Sequence, residues 1–85
     1  MTDYKTQLEN NICYTDLVYE RFNKKLKTQL SKRQIQSLVQ EILRETETSQ
    51  FRKKGKNVYI SNTVKNIRLT VNSYTNRLIT ADLLS

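Results

Sequence analysis

The sequence predicts an α+β fold, with two or three N-terminal helices packed on one face of a three- or four-stranded antiparallel sheet. Apolar residues recur at helical spacing up to about residue 45. From residue 51 the period changes to two, and apolar residues alternate with polar ones as in strands that bury one face. Helical segments followed by strands without further helices are typical of a layered α+β arrangement with a β-meander.

The charge changes at the same point as the period. Residues 1–50 hold eight Lys/Arg and seven Asp/Glu, a balance of +1, whereas residues 51–85 hold seven Lys/Arg against one acid, a balance of +6. With 85 residues and no linker-like segment, we expect one domain, 1–85, made of a helical half, 1–48, and a basic antiparallel sheet, 51–82. A polyanionic partner, above all nucleic acid, would explain such an asymmetry.

Two helices are predicted before residue 27. The first is short and is indicated by the apolar residues Tyr4, Leu8 and Ile12, which recur every four positions. Thr15 is the predicted N-cap of the second helix, because Asp16 then lies in the first turn, where negative charge is favourable. The apolar stripe expected to face the core comprises Leu17, Val18, Phe22 and Leu26.

The third helix has the strongest pattern. Ser31 and Gln34 have the spacing of a capping box, in which each side chain bonds the backbone of the other residue. The helix is expected to end near Glu45, because residues 46–50 are polar and lack a period. The apolar positions that follow the i, i+3, i+4, i+7, i+8 template are Ile35, Leu38, Val39, Ile42 and Leu43.

The strands begin after residue 50. Gly55 is placed where a turn back from residues 51–54 needs a positive φ, which glycine adopts without strain. Residues 57–61 alternate and predict a strand, residues 62–66 a loop, and residues 67–72 the clearest strand. Residues 77–81 predict a last strand whose facing the pattern leaves open.

Strand alternation predicts a polar sheet face opposite the helices. If the apolar residues of strand 67–72 face the core, Arg68 and Thr70 stand on the other side, together with Tyr59 of the neighbouring strand. Thr80 joins them if Ile79 points inward, and Arg77 then lies toward the helices or at the rim. The predicted nucleic-acid-binding residues are Lys53, Lys54, Lys56, Tyr59, Arg68, Thr70, Arg77 and Thr80.

Several classes of protein are excluded or disfavoured. The chain has no histidine, which excludes a Ser-His-Asp triad and histidine-bearing zinc sites, and Asp82 is the only acid after Glu47. We therefore expect neither a metal nor a cofactor. Cys13 is interpreted as a small core residue. No apolar run approaches the roughly 20 residues of a membrane span, and no signal-peptide core is present, so a cytoplasmic protein without a membrane partner is expected.

A ring, a guanidinium and hydroxyls on one sheet face predict a small basic domain that binds RNA or another single strand. If the domain is also catalytic, it is a metal-independent endoribonuclease toxin in which Tyr59, Arg68 and Lys56 act on RNA, with a small acidic protein as partner. The alternative is a non-enzymatic protein-interaction module, a regulator or a mobile-element inhibitor of a host nuclease or polymerase. The near-neutral helical half with Tyr4, Tyr14 and Tyr19 would then be the contact surface.

Four blocks of the sequence resemble a family of small bacterial proteins of unknown function, DUF3781. The blocks are residues 11–21 (NICYTDLVYER), 53–59 (KKGKNVY), 66–73 (NIRLTVNS) and 77–82 (RLITAD). This resemblance implies no activity. A weaker likeness, at the level of fold only, connects helices followed by a basic antiparallel sheet with RelE-like and colicin-type ribonuclease toxins, some of which cut RNA without metal or histidine.

Overall fold

The chain forms three helices and then a four-stranded sheet, and a computed structural model describes its residues 4–84. The helices are α1 (Tyr4–Asn11), α2 (Asp16–Leu26) and α3 (Lys32–Glu45), followed by a 3-10 turn at Thr48–Gln50. The strands are β1 (Phe51–Lys54), β2 (Asn57–Asn62), β3 (Ile67–Asn72) and β4 (Leu78–Leu83). The sheet order is β1-β2-β3-β4, with every neighbouring pair antiparallel. The predicted α+β meander is confirmed, with three helices and four strands.

All three helices contribute to one core on one side of the sheet. Alternate residues of β2 and β3, such as Val58 and Leu69, are fully buried against them. The helical residues in the same cluster are Leu8, Val18, Phe22, Leu26, Ile35, Val39, Ile42 and Leu43. Because the cluster lies on one side of the sheet only, the side chains between these buried positions form a second sheet face that no helix covers.

Helix α3 begins and ends at side-chain hydrogen bonds. The predicted capping box is present: the Gln34 amide N–H donates to Ser31 Oγ at 3.2 Å, and the Ser31 N–H donates to Gln34 Oε1 at 2.8 Å. At the other end, the buried Thr46 hydroxyl donates to the Ile42 carbonyl at 2.6 Å and accepts from Asn62 Nδ2 at 3.0 Å. Asn62, predicted as a loop residue, is therefore the last residue of β2, and it joins the sheet to the end of α3.

Two residues predicted to lie in the core are exposed. Leu17 is 71% exposed, because at 100° per residue it shares a helix face with Arg21 and Lys24 rather than with Phe22. Cys13 is also exposed. Its backbone forms a parallel bridge with Arg77 at the edge of β4, and this contact fixes the segment without burying the thiol. The Leu17 prediction was wrong because Leu17 was counted in the apolar stripe although it lies about 140° around the helix from Phe22, and the Cys13 prediction was wrong because it was inferred from the neighbouring Ile12.

The turns and one bulge set the facing of the strands. Gly55 has the predicted positive φ, 64°, in a two-residue hairpin between Lys54 and Asn57. In β4 the register shifts: Thr80 lies opposite Thr70, whereas Leu78 lies opposite Val71. Ile79 is therefore the extra residue of a β-bulge. The bulge determines which side chains of β4 point away from the helices, a point that the sequence pattern left open. Thr80 lies on the uncovered face.

Tyr14 lies in the helical half, stacked on Tyr19 with ring centroids 5.7 Å apart, and its hydroxyl is buried with no hydrogen-bond partner among residues 4–84. Burial, with smaller contributions from Tyr19 and Cys13, raises the pKa of Tyr14 from 10.0 to about 12. The unfolded chain therefore loses this proton at a lower pH than the folded chain does.

Folding stability should consequently fall as pH rises from about 10 toward 12, because the folded state holds a proton that the unfolded state has released. We expect Tyr14→Phe to lose less stability than the wild type over this interval and to equal or exceed it at pH 8. Urea unfolding of both proteins at pH 8, 10 and 11 measures the difference. Parallel pH profiles for the two proteins would contradict the prediction.

Candidate nucleic-acid interface

The uncovered side of the sheet, here called the open face, consists of three rows of residues that run across the strands. The register aligns Arg52, Tyr59, Thr70 and Thr80 into one row through all four strands. The other two rows are Lys54, Asn57 and Asn72, and Ser61, Arg68 and Asp82. The open face therefore combines three cations and one aromatic ring with hydroxyls, amides and a single acid.

Tyr59 lies in the middle row of the open face. Arg52 and Thr70 are its direct cross-strand neighbours, at a Cβ separation of about 4.5–5.5 Å. Tyr59 is half-buried and Thr70 is only 6% exposed, whereas Arg52 is exposed. A ring and a guanidinium are thus placed side by side, with a hydroxyl on the other flank. Arg52 was missing from the predicted site, because a four-residue strand has too short an alternation to show its facing.

Arg68 keeps its charge available on the open face. Its side chain is exposed and forms no ion pair or hydrogen bond within residues 4–84. Asp82 lies opposite Arg68 in the register, but its carboxylate contacts Lys25 of α2 at 3.5 Å, with the side chain 28% exposed. The acid of this row is therefore partly neutralised from the helical layer.

The predicted lysines separate at the β1–β2 hairpin. Lys54 lies on the open face, and Lys56 lies in the two-residue loop. Lys53 pairs with the buried Val58, so its side chain leaves the sheet on the opposite side. There its Nζ lies 5.8 Å from the centroid of the Tyr74 ring. The three lysines thus surround the tip of the hairpin instead of bordering one face.

Two other cations of the basic half lie away from the open face. Lys65 contacts Glu41 and Glu45 of α3 at 3.4 and 3.5 Å. Arg77, one of the predicted binding residues, is exposed beside the start of α2, and its backbone pairs with Cys13. A shallow pocket there is bordered by Arg77 and the residues Thr15, Leu17, Val18, Arg21, Leu78 and Ile79.

Two side-chain oxygens on the open face have no hydrogen-bond partner in the described part of the chain. They are Asn57 Oδ1 and Thr80 Oγ1, and both are buried. The Asn72 amide oxygen, by contrast, accepts from the backbone N–H groups of Tyr74 and Thr75. Buried polar atoms normally have a partner, so these two oxygens are exceptions, and because both are shielded from solvent they are not accessible to a ligand on this face.

The candidate catalytic residues come together only in part. Tyr59 and Arg68 are diagonal cross-strand neighbours, about 7–8 Å apart. Lys56 lies beyond Asn57 in the hairpin loop, at the end of the sheet away from Arg68. No hydrogen bond links any two of these three residues. The arrangement therefore suits a ligand that stacks a ring on Tyr59 and places a phosphate near Arg68. It suits proton transfer among the three side chains less well.

The described residues contain no group of three or more His, Cys, Asp or Glu side chains that would hold a metal ion. Within residues 4–84, no helix has the length and apolar character that crossing a membrane requires.

Residues 6–82 match a family model described as "Protein of unknown function (DUF3781)". No curated protein and no solved structure matches the chain. The weaker likeness to ribonuclease toxins therefore finds no support in these comparisons. The family match covers nearly the whole sheet and most of the helical layer, including every residue of the open face.

Proposed function

The chain belongs to the DUF3781 family of proteins of unknown function, and from the geometry of its open face we propose that this face binds single-stranded nucleic acid, with RNA as the preferred ligand. The main support for this proposal is the alignment of Arg52 and Tyr59 in one row of a sheet face that no helix covers. Lys54 and Arg68 lie in the two adjacent rows. Each of these cations is exposed.

A single strand fits this face because its bases and its phosphates can be bound separately. An unpaired base stacks on the Tyr59 ring or on the neighbouring Arg52 guanidinium, and the cations contact phosphates. In a duplex the bases are already stacked on each other and their faces are inaccessible. The mixture of one aromatic ring with cations in the rows on either side therefore favours unpaired strands.

The hydrogen-bonding groups beside Tyr59 favour RNA. Thr70 and Thr80 continue its row, and Ser61 lies two residues along the same strand. A ribose 2′-hydroxyl donates and accepts hydrogen bonds, so it can pair with the hydroxyl of Ser61, which is partly exposed on this face. Deoxyribose lacks this group. We expect tighter binding of RNA than of DNA with the same sequence.

Fluorescence anisotropy with a labelled single-stranded RNA at low salt tests the proposal. We expect the wild type to bind and Tyr59→Ala to bind about 5- to 150-fold more weakly, since loss of one base–aromatic stack costs about 1–3 kcal/mol. Tyr59→Phe is the matched control: it keeps the ring and should bind within about twofold of the wild type. Absence of wild-type binding, or equal binding by Tyr59→Ala, would contradict the proposal.

The same samples separate binding from cleavage and from protein recognition. Gel electrophoresis of the RNA after the titration should show intact strands, because Lys56 lies in the hairpin loop at the end of the sheet away from Arg68, too far for both to act on one phosphate. Cleavage that disappears in Arg68→Ala would instead identify an endoribonuclease. A stoichiometric protein partner that is recovered after nuclease treatment, from a protein that does not bind RNA, would favour the interaction-module alternative.

A further inference from the structure

Tyr74 is an exposed aromatic residue that the predicted site did not include. It lies in the β3–β4 turn with 74% of its surface exposed. Its ring contacts Lys53 on the side of the sheet opposite the open face. Because the Tyr74 ring is mostly exposed to solvent, it adds little to the packing of the core. Its position therefore requires another explanation.

The turn that holds Tyr74 is braced by hydrogen bonds. Asn72 Oδ1 accepts from the Tyr74 and Thr75 amides at 2.8 and 3.1 Å, and the Asn72 carbonyl accepts from the Asn76 amide at 2.8 Å. Asn76 has a φ of 59°, which asparagine tolerates well. These bonds fix the backbone on both sides of Tyr74, so little backbone freedom is lost when a ligand stacks on the ring.

This turn is also fixed to its neighbours. The Ser73 amide and hydroxyl both donate to the Lys56 carbonyl, at 2.8 and 2.9 Å, and join the two turns at this end of the sheet. Gln7 of α1 donates to the Ser73 carbonyl at 3.1 Å and to Asn76 Oδ1 at 2.8 Å. Tyr74 therefore keeps a fixed position relative to the β1–β2 hairpin and its lysines.

Three lysines mark a path from the open face to Tyr74. Lys54 lies on the open face, Lys56 at the hairpin tip, and Lys53 on the far side next to the Tyr74 ring. The only acid in residues 51–84 is Asp82, which lies in the row of Arg68, two residues along β3 from the row of Tyr59 and farther from the tip. The path is thus uniformly positive.

We propose that a single strand bound on the open face passes around the hairpin tip and stacks a second unpaired base on Tyr74. This inference rests on the proposed function and specifies its ligand: a flexible single strand with at least two unstacked bases, one on Tyr59 and one on Tyr74. Duplex DNA does not fit, because its persistence length of roughly 150 base pairs prevents a turn around a two-residue hairpin.

The experiment combines strand length with substitution of Tyr74. Anisotropy is measured with a dinucleotide, which covers the open face only, and with a 10-nucleotide single-stranded RNA. We expect Tyr74→Ala to bind the long RNA about 5- to 150-fold more weakly than the wild type and the dinucleotide equally well. Tyr74→Phe keeps the ring and should behave as the wild type with both ligands.

A spectroscopic readout tests stacking directly. The fluorescent base 2-aminopurine, placed near one end of the long RNA, should lose emission on binding to the wild type and to Tyr74→Phe, but less on binding to Tyr74→Ala. A blunt 10-base-pair duplex of the same sequence should bind more weakly than the single strand and should not distinguish Tyr74→Ala from the wild type.

The outcomes separate this inference from the proposed function. If the wild type binds neither RNA, the proposed function fails. If the wild type binds and Tyr59→Ala weakens binding, but Tyr74→Ala binds the long RNA as tightly as the wild type, the path around the hairpin tip is wrong while the open-face site stands. Equal affinity for the duplex and the single strand would also overturn the path. Circular dichroism of both Tyr74 variants verifies that the fold is unchanged.

Discussion

Phe22→Ala is expected to lower the free energy of unfolding by about 3–5 kcal/mol, the range typical of a large aromatic residue removed from a core. Phe22 is fully buried, and it is among the largest side chains in the core. It lies in the middle of α2, the helix that packs along β4. Its removal leaves a cavity where the helical layer meets the sheet.

The effect is large because the domain is small. At roughly 0.05–0.15 kcal/mol per residue, a chain of this length has about 4–13 kcal/mol of stability in total. Urea unfolding monitored by circular dichroism measures the loss. Leu17→Ala is the matched control on the same helix: Leu17 is 71% exposed and its truncation should change stability by less than about 0.5 kcal/mol. Equal losses in the two variants would contradict the described packing of α2.

Local sequence signals predicted most of the fold. The capping box at Ser31 and Gln34 marks the start of α3 by a reciprocal pair of hydrogen bonds that depends on four consecutive residues only. Gly55 marks the hairpin, because a positive φ at that position is strained for other residues. Each of these signals acts within one turn of chain, so no tertiary information was needed.

Local sequence patterns could not predict fully which residues form the site. Arg52 reaches the open face through its register with Tyr59, which the pairing of β1 with β2 determines. Thr80 reaches it through the bulge at Ile79. The turn that holds Tyr74 is fixed by hydrogen bonds from residues as distant in sequence as Gln7. Pairing, bulges and turn bracing are tertiary features, and a single sequence does not specify them.

The net charge of residues 51–85 likewise overstates the number of cations that lie on the open face. Of the seven Lys/Arg in residues 51–85, Lys65 is paired with two glutamates of α3, and Arg77 lies beside the start of α2. Lys53 and Lys56 belong to the hairpin tip. The cations left on the open face itself are Arg52, Lys54 and Arg68. Electrostatic binding by this face should therefore correspond to about three phosphates.

Replacement of Arg52, Lys54 and Arg68 by glutamine is expected to reduce both the affinity for single-stranded RNA and its dependence on salt. Each phosphate neutralised contributes about 0.7 to the slope of log affinity against log salt for a single strand, so three contacts contribute about 2. A fourfold rise in salt should therefore weaken wild-type binding by roughly 20-fold through these contacts alone. In the triple variant this part of the salt dependence should disappear.

A second triple variant separates position from net charge. Lys24→Gln, Arg33→Gln and Arg44→Gln remove the same number of charges from exposed positions on α2 and α3, outside the open face. None of these three side chains forms an ion pair or hydrogen bond within residues 4–84. Because counterions are released only where phosphates contact cations, this variant should keep the wild-type slope. If both triple variants lose the same slope, the RNA responds to total charge, and the open face is not the binding site.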